Sequence, residues 1–154
     1  MKYLRMIKQA FVYLWNMIFN RGSIQFDVYS IGASDVKAMF NLALPTATVT
    51  LLDWEYAFTT LKSWQKIIDE MMKDMNPYKK DVHDCDDFAS FLSGHVSNDY
   101  KLNGCLTATG KDDTGGAHAF NVIIYQGKDK VEFTILEPQT GVLNCKYAVS
   151  TLRG

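Results

Sequence analysis

Charge of one sign is missing from this sequence. Sixteen Lys and Arg stand against seventeen Asp and Glu, for a formal net charge of −1. A nucleic-acid partner needs a basic face, so this balance argues against one. Cysteine is scarce too: Cys85, Cys105 and Cys145 are an odd number and form no CxxC pair. They read as thiols of a reducing compartment, and so as a cytoplasmic protein, rather than as a disulfide framework. A Cys105–Cys145 pair stays open, and secretion with it. Internal repeats and low-complexity segments are absent. So is a long hydrophobic run: in Met1–Asn20 the basic start (Lys2, Arg5, Lys8) precedes an apolar stretch that Asn16 interrupts. That segment is too short to span a bilayer and lacks a small-x-small cleavage site. Tyr3, Leu4, Ile7, Phe11, Leu14, Trp15 and Ile18 instead follow helical spacing, with Arg21-Gly22 as a helix end. An amphipathic helix over residues 1–22 is expected, with residues 1–20 contacting the core, a partner protein or a membrane surface.

What is present suits one globular domain over residues 1–154. The hydrophobic content is 47%, and eight Tyr, nine Phe and three Trp supply bulky core material. Ile24 to Ile31 reads as a strand, and Gly32-Ala33-Ser34-Asp35 as a turn opening a short helix through Phe40. Thr46 to Leu52 reads as a second strand. From Thr59 or Thr60, the residues Leu61, Trp64, Ile67, Ile68, Met71 and Met72 trace one helical face, which Asn76-Pro77 closes. Cys85 opens another helix, with Phe88, Ala89, Phe91, Leu92 and Val96 inward and Asp84 as N-cap. Asn103-Gly104 and Asp112 to Gly116 are turns. Ala117 to Tyr125 and Val131 to Leu136 form a hairpin around Gln126-Gly127-Lys128-Asp129. Helices first and antiparallel strands last predict an α+β fold.

The chemistry-bearing residues follow from that layout. A thiol at a helix N-terminus is favoured as thiolate by the unpaired N–H groups and the dipole, so Cys85 is the candidate nucleophile. The same N–H groups can stabilise an oxyanion. His95 lies ten residues along the helix, about 15 Å away at 1.5 Å per residue, too far to serve as base. His83 would have to fold back along the chain. His118 follows Thr114-Gly115-Gly116 at the start of an apolar strand and can reach a helix terminus. Hairpin register returns Glu137 beside His118, where its carboxylate would accept the Nδ1 proton.

Three blocks carry a resemblance: His83-Asp84-Cys85-Asp86-Asp87-Phe88-Ala89, Gly116-Ala117-His118-Ala119-Phe120, and Leu136-Glu137-Pro138-Gln139-Thr140. Their order resembles the papain-like and transglutaminase-like cysteine peptidases. Within that clan they are most similar to the C-terminal protease domain of the Marasmius oreades agglutinin, a fungal lectin. The resemblance covers roughly residues 53 to 141. It implies a papain-like core, with the nucleophile's helix packed on a small antiparallel sheet. It implies a Cys85–His118–Glu137 cysteine protease acting on a polypeptide through a thioester, with Gln139 and Tyr78 near the substrate. The sugar-binding repeats of that lectin are absent from this sequence, so carbohydrate binding is not carried over.

No cofactor is required for such chemistry. However, Asp84, Asp86 and Asp87 crowd a residue that should become a thiolate, with Asp81 nearby. Like charge opposes ionisation of the thiol. Either the aspartates are solvated caps, or calcium binds them with oxygens from Asp53, Asn98 or backbone carbonyls; the resembled protease is calcium-dependent. Rival readings keep the site but cut another bond, as a peptidoglycan amidase or a transglutaminase or deamidase. A non-catalytic inhibitor or binding protein on the same scaffold is the rival of another class.

Overall fold

The computed structural model describes residues 24–80 and 82–154. The expected helix over residues 1–22 and the carboxylate of Asp81 lie outside the described residues. No helix among the described residues is long and apolar enough to cross a membrane.

Eight strands dominate the architecture. They are β1 (Tyr29–Gly32), β2 (Thr48–Thr50), β3 (Glu55–Thr60), β4 (Cys105–Lys111), β5 (Ala117–Gln126), β6 (Val131–Glu137), β7 (Val142–Leu143) and β8 (Ala148–Arg153). Three α-helices accompany them among the described residues: α1 (Ala33–Ala43), α2 (Leu61–Met71) and α3 (Cys85–His95). The sheet runs β1-β3-β5-β4-β8-β2, with β6 on the other edge of β5 and β7 beyond it. It mixes directions: β2–β8 and β3–β5 are parallel, and the remaining pairs antiparallel.

The expected α+β arrangement, one helix packed on a small antiparallel sheet, is therefore corrected to a curled, mixed, eight-stranded sheet with few helices. Three strands of this sheet escape a sequence reading. β3 (EYAFTT), β4 (CLTATGK) and β8 (AVSTLR) are short, and all three break the strict apolar–polar alternation that marks a half-buried strand. β3 pairs in parallel with β5 and β8 in parallel with the distant β2, while β4 is the hairpin partner of β5 across the Asp112–Gly116 turn and pairs β8 on its other edge. Pairing with other strands therefore makes them strands, where local propensity does not.

Elements with clear periodicity form as expected. In α2, Thr60 caps the helix by accepting from the Ser63 N–H (3.3 Å), and Trp64, Ile67, Ile68 and Met71 are buried on one face. Trp64 also donates its indole N–H to the Ile124 carbonyl on β5 (2.8 Å), tying α2 to the sheet. The α-helix ends at Met71, and a 3-10 turn over Met72–Asp74 carries the chain toward Asn76-Pro77. Helix α1 buries Val36 and Phe40, the latter edge-on to Phe133 of β6 with ring centroids 5.0 Å apart. In α3, Phe88, Ala89 and Leu92 are buried; a π-helical turn over Val96–Tyr100 follows and stops at Lys101, in left-handed conformation (φ 59°). The hairpin β5–β6 pairs Asn121 with Leu136 and Gln126 with Val131.

One close backbone approach requires a glycine. β4 shifts register against β8 between Thr109 and Gly110, and a Cβ at Gly110 would stand 1.8 Å from the Ala148 carbonyl oxygen.

Candidate functional site

Helix α3 lies along β5 and runs in the same direction. The Asn121 side-chain amide donates to the Ala89 carbonyl (3.0 Å), and Ser93 Oγ donates to the carbonyl of Cys105, whose β4 position pairs with Ile123 of β5. Four residues of helix, about 6 Å, thus match two residues of strand, about 6.6 Å. By the same spacing Cys85, four residues before Ala89, falls near the level of Ala119, one residue along β5 from His118. The fold therefore brings the helix start and the strand start to one end of the molecule.

At that end Cys85 is half-buried and free. Asp84 and Asp87 form a capping box, the Asp87 carboxylate accepting from the Asp84 N–H at 3.3 Å. Both carboxylates thus serve the cap, and Asp87 lies outside the group of nearby ligand atoms that Asp84, Cys85 and Asp86 form. One carboxylate oxygen each from Asp84 and Asp86 and the Cys85 sulfur lie within 4.8 Å of one another. The Asp86 carboxyl is held below its usual range, chiefly by a hydrogen bond with the Asp84 side chain. Two carboxylates and a sulfur fall short of the six to eight oxygens calcium takes, so carbonyls or water would have to complete a shell. Asp53 is not in this group, being bonded to Asn103; Asn98 donates to Asp99 beyond the far end of α3.

His118 and Glu137 meet diagonally, since the hairpin register sets Glu137 at the level of Phe120 on the same face, and they meet through the other ring nitrogen. Nε2, rather than Nδ1, lies 2.6 Å from Glu137 Oε2, which leaves Nδ1 to face other groups. No hydrogen bond joins His118 to Cys85 among the described residues. The carboxylate is fully engaged: Oε2 also accepts from the Tyr147 hydroxyl (3.0 Å), and Oε1 accepts from the Gln139 N–H (2.9 Å). Tyr147 stands edge-on to His118, with centroids 5.3 Å apart and planes at 86°. Burial, followed by the bond to Glu137, pushes its hydroxyl well above the ordinary tyrosine range. No motif marks Tyr147, and only the fold reveals it.

The remaining expectations fare unevenly. Gln139 reaches the cluster through its backbone. Tyr78 is exposed and makes no hydrogen bond or ring contact among the described residues. His83 packs its ring on Phe88 (4.5 Å) with a buried, unpartnered Nδ1, and His95 pairs with Asp99 at the far end of α3. All three cysteines are free, so Cys105 and Cys145 are not bridged.

A second polar recess was not foreseen. It is lined by Ser30, Asp53, Glu55, Ser97, Lys101 and Asn103. Asn103 braces it, donating to Asp53 Oδ2 (2.9 Å) and to the Glu55 carbonyl (3.0 Å) while accepting from the Ala57 N–H (2.6 Å). Between Asp53 and Glu55 in sequence, Trp54 is 93% exposed.

No protein-family model and no curated protein matches the chain. Solved structures do. A PSL1a–E64 complex is 26% identical with a TM-score of 0.66, covering 81% of this chain and 51% of that one. The Polyporus squamosus lectin bound to the human-type influenza-binding epitope Neu5Acα2-6Galβ1-4GlcNAc is 24% identical with a TM-score of 0.66, covering 81% and 49%. The chain thus spans about half the length of each. These likenesses to lectin chains correct the expected recognition as a papain-like or transglutaminase-like peptidase. With it go the cysteine-protease and amide-hydrolase activities and the polypeptide substrate.

Proposed function

We propose that this chain is a lectin-type module that binds glycans. The observation that carries the reading is the fold shared, over 81% of the chain, with half of a lectin chain. The Asp53–Glu55–Asn103 recess supplies a fitting chemistry. Sugar hydroxyls pair with fixed carboxylate and amide groups, and the apolar face of a pyranose stacks on an exposed indole such as Trp54. Two carboxylates against the single Lys101 ammonium leave the recess acidic, so it suits a neutral hexose or N-acetylhexosamine better than a sialic acid. The test is a glycan array followed by calorimetry. Neutral glycans should bind, and Trp54→Ala should weaken binding about tenfold, the order of an aromatic contact of 0.5–1.5 kcal/mol. Binding of no glycan, or binding indifferent to Trp54→Ala and Asp53→Asn, would overturn the reading. Casein cleavage that vanishes in Cys85→Ala would overturn it too.

A second property rests on the Cys85, His118 and Glu137 end of α3, and its support is the 2.6 Å His118–Glu137 bond beside a helix-terminal thiol. We propose that Cys85 is an activated thiol that captures small electrophiles. Iodoacetamide near neutral pH should modify Cys85 before Cys105 and Cys145. E64, present in the PSL1a complex, is a second probe, read by intact mass. Slow, equal labelling of all three cysteines would dismiss this property and leave the glycan reading intact.

A further inference from the structure

We infer that Tyr147 is a positioning residue, which holds Glu137 so that His118 keeps its proton on Nε2 and presents an unprotonated Nδ1. The role deepens the activated-thiol reading and concerns the same cluster. A neutral imidazole carries one N–H, and the partner of each nitrogen decides which nitrogen bears it. Here Nε2 faces a carboxylate, an obligate acceptor when ionised, at 2.6 Å. A carboxylate free to rotate would offer that acceptor only part of the time. Glu137 is pinned from two further directions: the Gln139 N–H holds Oε1 at 2.9 Å, and the Tyr147 hydroxyl holds Oε2 at 3.0 Å.

The backbone donor comes with the turn, whose Gly141 N–H also returns to the Glu137 carbonyl (2.8 Å). The hydroxyl is therefore the only donor of the pair that a side-chain change removes. Tyr147 adds a steric limit. Its ring stands edge-on to both His118 (5.3 Å, 86°) and Phe120 (5.2 Å, 62°), which opposes a flip of the imidazole. Both effects act through His118, since the Tyr147 hydroxyl spends its hydrogen bond on Glu137 rather than on the start of α3. Stabilising one tautomer in this way leaves Nδ1 as the unprotonated, proton-accepting nitrogen.

The experiment reads His118 itself by long-range ¹H–¹⁵N NMR at a pH where the ring is neutral. Wild-type protein should show the Nε2–H tautomer of His118 and a slowly exchanging Tyr147 hydroxyl proton. Tyr147→Phe keeps the ring contacts and removes the donor; it should show a mixture of tautomers and alkylate Cys85 about tenfold more slowly, the scale of one hydrogen bond to a charged group. A wild-type spectrum with Nδ1–H, or an unchanged tautomer in Tyr147→Phe, would overturn the inference. A wild-type spectrum with Nδ1–H overturns the inference even if the variant does not fold. Should Cys85 prove no more reactive than an ordinary thiol, the activated-thiol reading fails while the tautomer still judges Tyr147.

Discussion

His118 and Glu137 stand nineteen residues apart in sequence and 2.6 Å apart in space, with side chains only 13% and 11% exposed. The pair also anchors three elements: β5 through the histidine, β6 through the glutamate, and the segment before β8 through Tyr147. Removing the carboxylate strands several donors at once. Glu137→Ala should therefore cost about 2–4 kcal/mol, more than a single unsatisfied buried group. Glu137→Gln should cost less, because its amide oxygen still accepts one bond. Urea unfolding of both variants checks this ordering, and equal costs would show that the hydrogen bonds do not carry the loss.

Cys105 offers a contrasting thiol. It is buried, and desolvation pushes its ionisation up to about 12, so it should resist alkylation in the native state and react only on unfolding. The raised value also ties it to stability in base. Its contribution is complete below the ordinary thiol range near 9 and is lost as the pH rises from there through about 12. Cys105→Ala should flatten the fall of stability across that alkaline window. An alkaline limb identical to wild type would count against it.

Gly110 provides a backbone test. A methyl group there would meet the Ala148 carbonyl oxygen at 1.8 Å, backbone that cannot move without parting β4 from β8. Gly110→Ala should destabilise the protein by about 1–3 kcal/mol or more, the cost of overpacking. Gly94 sits on α3, where a methyl group added to it would meet no heavy atom within 4 Å, so Gly94→Ala should gain about 0.5–1 kcal/mol from helix propensity. Thermal melts of the two variants should move in opposite directions.

Calcium remains a proposal that Asp84 and Asp86 can decide. Two carboxylates and a sulfur lie within 4.8 Å of one another, a cluster of like charge that a divalent cation would relieve. If calcium binds there, it should raise the melting temperature of wild-type protein and of Asp87→Asn, whose residue serves the helix cap. It should leave Asp84→Asn and Asp86→Asn unmoved. A melting temperature of wild-type protein that neither calcium nor a chelator shifts would end the proposal.

Local patterns carried much of the reading. The apolar stripe of α2, the Asp84 cap of α3 and the β5–β6 hairpin all follow from neighbours within a few residues, whose spacing and side-chain chemistry act before any long-range contact forms. The nearness of His118 to Glu137 follows too, because hairpin register counted from one turn sets Glu137 within two residues of His118 on the same face. What the sequence did not disclose depends on partners far along the chain. β8 becomes a strand beside β2, about a hundred residues away, and Asp53 is braced by Asn103 from fifty residues away. Which imidazole nitrogen meets the carboxylate, and that Tyr147 completes the cluster, depend on side-chain directions at strand ends. Periodicity specifies which face a residue takes; only the packed tertiary structure decides what stands opposite it.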